Sequence, residues 1–190
     1  MNDMAASADS LSLPPAVPAA AMWLPGSALN CYVGDATMRD WLLTPGLLTQ
    51  RIREAAGDGF AMHCLREELL HGEHVREIDM CCDDVVWMFA HTRIPAPTLA
   101  DHPWLGQIGD RTLGEVLVGR ESVQREDFRY AQLYPESWLA ERVLHHARLP
   151  RQPLWVRHSV FKIGASPFAL YEAFLPAIGR RGSADTQYHR

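Results

Sequence analysis

Hydrophobic residues recur along this chain with two different periods. From 36 to 55, Met38, Trp41, Leu42, Leu48 and Ile52 fall at helical spacings, and Pro45-Gly46 splits the run into two helices. Extended segments follow at 59–69, 74–82 and 85–94. The acidic turn Asp83-Asp84 joins the last two and predicts a hairpin. Residues 98–119 carry short helices punctuated by Gly106, Gly109 and Gly114, and a fourth strand is expected near 122–132. Pro135 starts a helix with Trp138, Leu139 and Val143 along one side. Two final strands, 154–163 and 168–175, flank the turn Gly164-Ala165-Ser166-Pro167. Six strands joined mostly by hairpins, with grouped helices, predict an α+β domain built on a six-stranded antiparallel sheet.

Alternation within the strands singles out charges in apolar company, because residues i and i+2 share a face. The last strand aligns Phe168, Leu170, Glu172 and Phe174. The second aligns Arg76, Ile78, Met80 and Cys82, and its other row, Val75, Glu77, Asp79 and Cys81, reads as solvated. The fifth aligns Trp155, Arg157, Ser159, Phe161 and Ile163, though Leu154, Val156 and Val160 make its opposite face a rival for the core. Buried unpaired charge costs several kcal/mol, so such groups are normally paired or in use. Two readings stand side by side. One is a structural Arg76–Glu172 salt bridge. The other is an anion pocket in which Arg76 grips a carboxylate through two hydrogen bonds and Glu172 handles a hydroxyl or a proton.

Length and composition narrow the classes. The 190 residues suit one domain, with an Ala/Ser/Pro-rich arm at 1–28, a folded domain at 29–178 and a polar tail at 179–190. A net charge of -5 gives no electrostatic reason to expect nucleic acid or an anionic membrane as partner. No run of 18 apolar residues exists, Ala16 to Met22 is too weak for a signal peptide, and no glycine-rich phosphate loop is present. Cys31, Cys64, Cys81 and Cys82 lack zinc-type spacing and read as reduced thiols, which suits the cytoplasm. His71 and His74 read as a polar turn rather than a metal site. His145-His146 reads as a solvated helix end. Cys64 and Cys81 have no visible activating base, and Tyr171 and the six tryptophans read as core. No metal is expected.

The segment Leu154-Trp155-Val156-Arg157-His158-Ser159, followed by Glu172-Ala173-Phe174-Leu175-Pro176, resembles the C-terminal signature of chorismate pyruvate-lyases. Arg76-Glu77-Ile78, Trp87 with Thr92-Arg93-Ile94-Pro95, Thr112-Leu113-Gly114, and Trp41-Leu42-Leu43 with Leu48-Thr49 resemble the family's other elements, in order, over about 40–176. The resemblance implies a cofactor-independent carbon–oxygen lyase. Such an enzyme converts chorismate to 4-hydroxybenzoate and pyruvate at the start of ubiquinone synthesis, as a monomer. It implies an internal ligand site beneath helical flaps, here 40–55 and 98–119. It also implies that Arg76 and the backbone N–H groups of Leu48 and Leu113 hold ligand oxygens, and that Glu172 contacts the ring hydroxyl. His91 and His158 stand where the family often has arginine, so Arg93 and Arg157 become candidates for the second carboxylate. Two alternatives remain open: a non-catalytic effector-binding domain of the same fold, and a related enzyme giving a different hydroxybenzoate or a dihydrodiol. The first needs a DNA-binding module, and the first 35 residues are too short and too proline-rich for a helix-turn-helix.

Overall fold

A computed structural model describes residues 17–18, 21–120 and 122–180; the remainder of the expected arm and the tail from 181 lie outside the described residues. Eight strands form: β1 (Leu24–Pro25), β2 (Phe60–Leu70), β3 (Glu73–Cys82), β4 (Val85–Pro95), β5 (Val123–Arg125), β6 (Arg129–Leu133), β7 (Leu154–Ile163) and β8 (Ser166–Phe174). The helices are α1 (Leu29–Tyr32), α2 (Ala36–Leu42), α3 (Leu48–Ala56), α4 (Ala96–Asp101), α5 (Leu113–Leu117) and α6 (Trp138–His146).

One sheet runs β1-β6-β7-β8-β4-β3-β2, and β5 also pairs with β7. Every pairing is antiparallel. The hairpins turn on residues in the left-handed region: His71 and Gly72 between β2 and β3, Asp83 and Asp84 between β3 and β4. Short side chains such as Asp tolerate that conformation, which matches the right-handed twist of the flanking strands.

The sheet has eight strands where six were expected, for two local reasons. Leu24–Pro25 pairs with β6. The single strand expected near 122–132 breaks in two at a bulge: Arg125 pairs with Phe161 and Arg129 with His158, so residues 126–128 stand against only Ser159 and Val160 of β7. The break turns Phe128 inward beneath the guanidinium groups of Arg125 and Arg157, each 4.1 Å from the ring centre. Cation–π attraction favours that placement.

Helices cover both faces of the sheet. On the front, α2 and α3 contribute Trp41, Leu42, Leu48 and Ile52 to a core with Ile78, Met80, Met88 and Phe174. Beside it, Leu113, Val116 and Leu117 of α5 pack with Phe168 and Ile163. On the rear, α6 lays Leu139, Ala140, Val143 and Leu144 against Phe89, Val156 and Ala173. These four fall on one helix face by the i, i+1, i+4, i+5 spacing. Full burial of a side chain such as Leu139 or Val143 stabilises the fold by about 1.5–3 kcal/mol.

The rear row of β3 is not solvated. Val75, Glu77, Asp79 and Cys81 are all buried, at 0–4% exposure. Helix α6 supplies hydrogen-bonding partners for the two carboxylates. Arg142 donates from Nε and Nη2 to Glu77 Oε2 at 3.1 and 2.6 Å, and His146 Nε2 lies 2.8 Å from Asp79 Oδ2. His91 Nδ1 sits 3.2 Å from Glu77 Oε1. Burial pushes the Glu77 carboxyl upward, but the bonds to His91 and Arg142 outweigh it and hold the group at about 2. His146 is thus a half-buried partner of Asp79, whereas His145 beside it is exposed, as expected of a helix end. No helix among the described residues is long and apolar enough to cross a membrane.

Candidate active site

Between the front of the sheet and the first turns of α3 and α5 lies a cavity of about 230 Å³. Its floor comes from alternating positions of four strands: Arg76, Ile78 and Met80 of β3, Met88, Ala90 and Thr92 of β4, Leu170 and Glu172 of β8, and Arg157, Ser159 and Phe161 of β7. Leu48, Leu113 and Leu117 close it from above, and Arg120, Arg125 and Phe128 stand along one side. The floor follows directly from the two-residue period of the strands. Arg76 and Glu172 therefore face the same cavity.

They do not pair with each other. Glu172 stands directly across from Arg157 on the neighbouring strand. Arg157 donates from Nε and Nη2 to the two carboxylate oxygens at 2.7 and 3.2 Å, a bidentate bridge with both residues buried. Its remaining terminal nitrogen donates to the carbonyl of Thr44 at 2.9 Å, just past the end of α2. Arg76 belongs to a different cluster. Its Nη2 donates to the carbonyls of Gly109 and Arg111, at 2.7 Å each. Glu67, the cross-strand partner of Arg76, accepts from the backbone N–H groups of Ile108 and Gly109 at 3.0 and 2.8 Å. Two charged side chains of the β2–β3 hairpin thus hold the loop that leads into α5. Burial draws the Arg76 guanidinium below its ordinary range, while Cys64 and Glu67 beside it act in the opposite direction.

Leu48 and Leu113 each begin a helix at the cavity. The first N–H groups of a helix have no intrahelical acceptor. Leu47 offers α3 no side-chain cap, whereas Thr112 and Glu115 form a capping box on α5. The two helices meet over the cavity. A methyl group added at Gly114 would lie 2.9 Å from Leu47 Cδ2, and Arg53 reaches Glu115 at 3.5 Å.

Three residues that sequence reasoning passed over also face the cavity. Ser159 Oγ is buried with no hydrogen-bond partner among the described residues. Arg125 stacks on Phe128, and burial and the neighbouring Arg157 draw its guanidinium below the ordinary range, against the pull of Glu172 and Tyr130. Arg120 lies over Trp104, 3.8 Å from the ring centre. Ser159 carries the signal that singles out Arg157, since it alternates with Phe161 and Ile163, whereas Arg125 lies in the polar run Gln124-Arg125-Glu126-Asp127 and carries none. Arg120 sits in a loop and carries no such signal.

Other candidates fall elsewhere. Arg93, proposed for the second carboxylate, is on the rear face with its guanidinium bonded to Glu73. His91 and His158 are on that face too, packed against Trp138 and Tyr171. Their replacement of arginine therefore leaves the cavity unchanged. His74 is buried at 6% exposure beside Glu67, not in an exposed turn. Burial and the neighbouring carboxylates push the Cys81 thiol up to about 12, so with no cation beside it the group stays protonated at neutral pH and is no nucleophile.

The family model described as chorismate lyase matches residues 17–182. The chain is 34% identical over 155 residues to a protein named probable chorismate pyruvate-lyase from Shewanella sp. (strain MR-4), covering 75% of this chain and 80% of that one. It is 29% identical over 167 residues to a protein of the same name from Methylobacillus flagellatus, covering 79% and 93%. Among solved structures, the C-terminal domain of the histidine utilization repressor from Pseudomonas syringae pv. tomato aligns with a TM-score of 0.43 at 10% identity, over 69% of this chain and 94% of that one. A likeness that loose says nothing of what either protein binds. By its sequence over most of its length, the chain belongs to the chorismate lyase family.

Proposed function

We propose that this protein cleaves chorismate to 4-hydroxybenzoate and pyruvate, without a cofactor, and so feeds ubiquinone synthesis. One observation carries the reading. In a mostly apolar cavity of about 230 Å³, four arginines and a single carboxylate converge, and that carboxylate is already held by one of the four. Such a site favours a small, flat ligand bearing two negative charges and a hydroxyl.

Roles follow from position. Arg76 holds the ring carboxylate, assisted by the N–H groups of Leu48 and Leu113 at the two helix starts. Glu172, fixed in one orientation by Arg157, accepts the ring hydroxyl. Ser159 supplies a further hydrogen bond within the cavity. Arg125 and Arg120, at the side, take the carboxylate of the enolpyruvyl group. The ring carbon–oxygen bond to the enolpyruvyl group breaks with its electron pair leaving on the enolpyruvyl oxygen, and the hydrogen on the hydroxyl-bearing ring carbon is lost as a proton. That fragment gains the proton and becomes pyruvate, while the ring becomes aromatic. The protein holds the reactive shape, excludes water and stabilises charge on the leaving group.

The test is direct. Purified protein is incubated with chorismate, and the products are separated by chromatography. Equal amounts of 4-hydroxybenzoate and pyruvate are expected. An isomeric hydroxybenzoate, a dihydrodiol, or binding without turnover would overturn the reading.

A further inference from the structure

The rear face of the sheet holds a second cluster of chemistry-bearing side chains, remote from the cavity. His63 of β2 and Asp79 of β3 are cross-strand partners, and His63 Nδ1 lies 2.7 Å from Asp79 Oδ1. Cys81 is two residues beyond Asp79 on the same strand and shares its face. The three donor atoms, one nitrogen, one oxygen and one sulfur, all lie within 4.8 Å of one another. In tetrahedral zinc sites, ligand atoms stand roughly 3.3–3.8 Å apart, as follows from the usual zinc–ligand lengths. Local movements on the order of an ångström would bring this set to that spacing.

The other oxygen of Asp79 is fixed by His146 Nε2 at 2.8 Å. A hydrogen bond to the second oxygen of a ligating carboxylate is the usual outer-shell arrangement in metal sites. Hydrogen bonds from two imidazoles would by themselves account for the buried carboxylate. The Cys81 thiol bonds to Asp79 as well, so three side chains gather on this one carboxylate. Asp79 and Cys81 are buried, whereas the His63 side chain is 54% exposed, so the cluster opens to solvent on one side.

We propose that His63 Nδ1, Asp79 Oδ1 and Cys81 Sγ form a three-ligand site for a divalent cation of the zinc class, with His146 orienting Asp79 and the fourth position open to solvent. Sulfur, imidazole and one carboxylate favour zinc or cobalt over magnesium or calcium. The ion would tie β2 to β3 beneath the end of α6. It lies behind the sheet and takes no part in the chemistry of the front cavity.

The test uses the full-length protein stripped of metal with a chelator. Co²⁺ titration should show one equivalent bound, with a near-ultraviolet thiolate-to-cobalt charge-transfer band. Calorimetry with Zn²⁺ should give the same stoichiometry. Cys81→Ser should abolish the band and weaken Zn²⁺ binding at least tenfold. His63→Gln, at an exposed position that leaves the fold intact, should weaken it as much, and His146→Gln by about ten- to a hundredfold. Cys31→Ser should change nothing. The proposal falls if Co²⁺ gives no thiolate band, or if Zn²⁺ binding survives His63→Gln undiminished. The second result stands even if Cys81→Ser fails to fold, and neither depends on lyase turnover.

Discussion

Glu172 carries a charge into a cavity because Arg157 goes with it. The two are 7% and 1% exposed, and the arginine spends its other donors on backbone carbonyls. Breaking a buried pair by removing one partner typically costs about 3–5 kcal/mol, because the other charge is left uncompensated. Arg157→Met should therefore lower the unfolding free energy by about that much in urea titrations, and a neutral result would show that Glu172 is solvated or protonated without it. Glu172→Gln keeps a hydrogen-bonding shape but leaves the buried Arg157 charge uncompensated, so it too should lower stability, and its turnover is read on protein shown to be folded. If Glu172 handles the ring hydroxyl, this change lowers kcat by about a hundredfold or more, and unaltered turnover would remove it from the chemistry. Arg76, Arg157 and Glu172 were all visible in the sequence as charges in apolar rows. Their pairing was not. Alternation gives the face of a residue, whereas its partner depends on strand order and register. In this sheet Glu172 lies opposite Arg157 on one side and Ala90 on the other, with Arg76 beyond β4.

Helix α6 shows the same limit at the scale of elements. Its hydrophobic face was legible from Trp138, Leu139 and Val143. Its charged contribution was not, because a row containing Glu77 and Asp79 has the pattern of a solvated strand face. The row is buried because Arg142 and His146, one helical turn apart, come down onto it. The same logic explains the broken strand: two arginines over Phe128 are a tertiary contact that no local pattern announces. Glu77 makes the helix–sheet clamp depend on pH. Its carboxyl is held at about 2 in the folded protein against an ordinary value of 4.5. The stability it contributes, about 3 kcal/mol, is fully present above pH 4.5 and is lost as the pH falls toward 2. Glu77→Gln should thus reduce the unfolding free energy at pH 7 by about this amount. The gap between wild type and variant should narrow between pH 4.5 and 2. A gap that stays constant over that range would mean that the ionised carboxylate is not what holds α6.

Over the whole molecule, the sheet is a rigid floor and the two helix starts above it form the roof. The chain is net negative, so attraction of an anionic ligand must come from the cavity arginines rather than from the protein as a whole. The expectation of flaps at 40–55 and 98–119 came from family resemblance; the sequence held no pattern for what holds them shut. Glu67 and Arg76 supply that hold on the α5 side, gripping Ile108, Gly109 and Arg111 by four backbone hydrogen bonds. Hydrogen bonds to charged groups contribute about 1.5–3 kcal/mol each, so loss of the Glu67 pair is enough to open the loop without unfolding the sheet. Glu67→Ala should raise the hydrogen-exchange rates of the Ile108 and Gly109 amides by tenfold or more, while the amides of β4 and β8 keep their protection. Glu67→Gln retains one acceptor oxygen and should fall between. If the roof also retains ligand, 4-hydroxybenzoate should dissociate faster from Glu67→Ala in stopped-flow displacement. Exchange that rises equally throughout the protein would instead make Glu67 a support of the whole fold rather than the fastening of one loop.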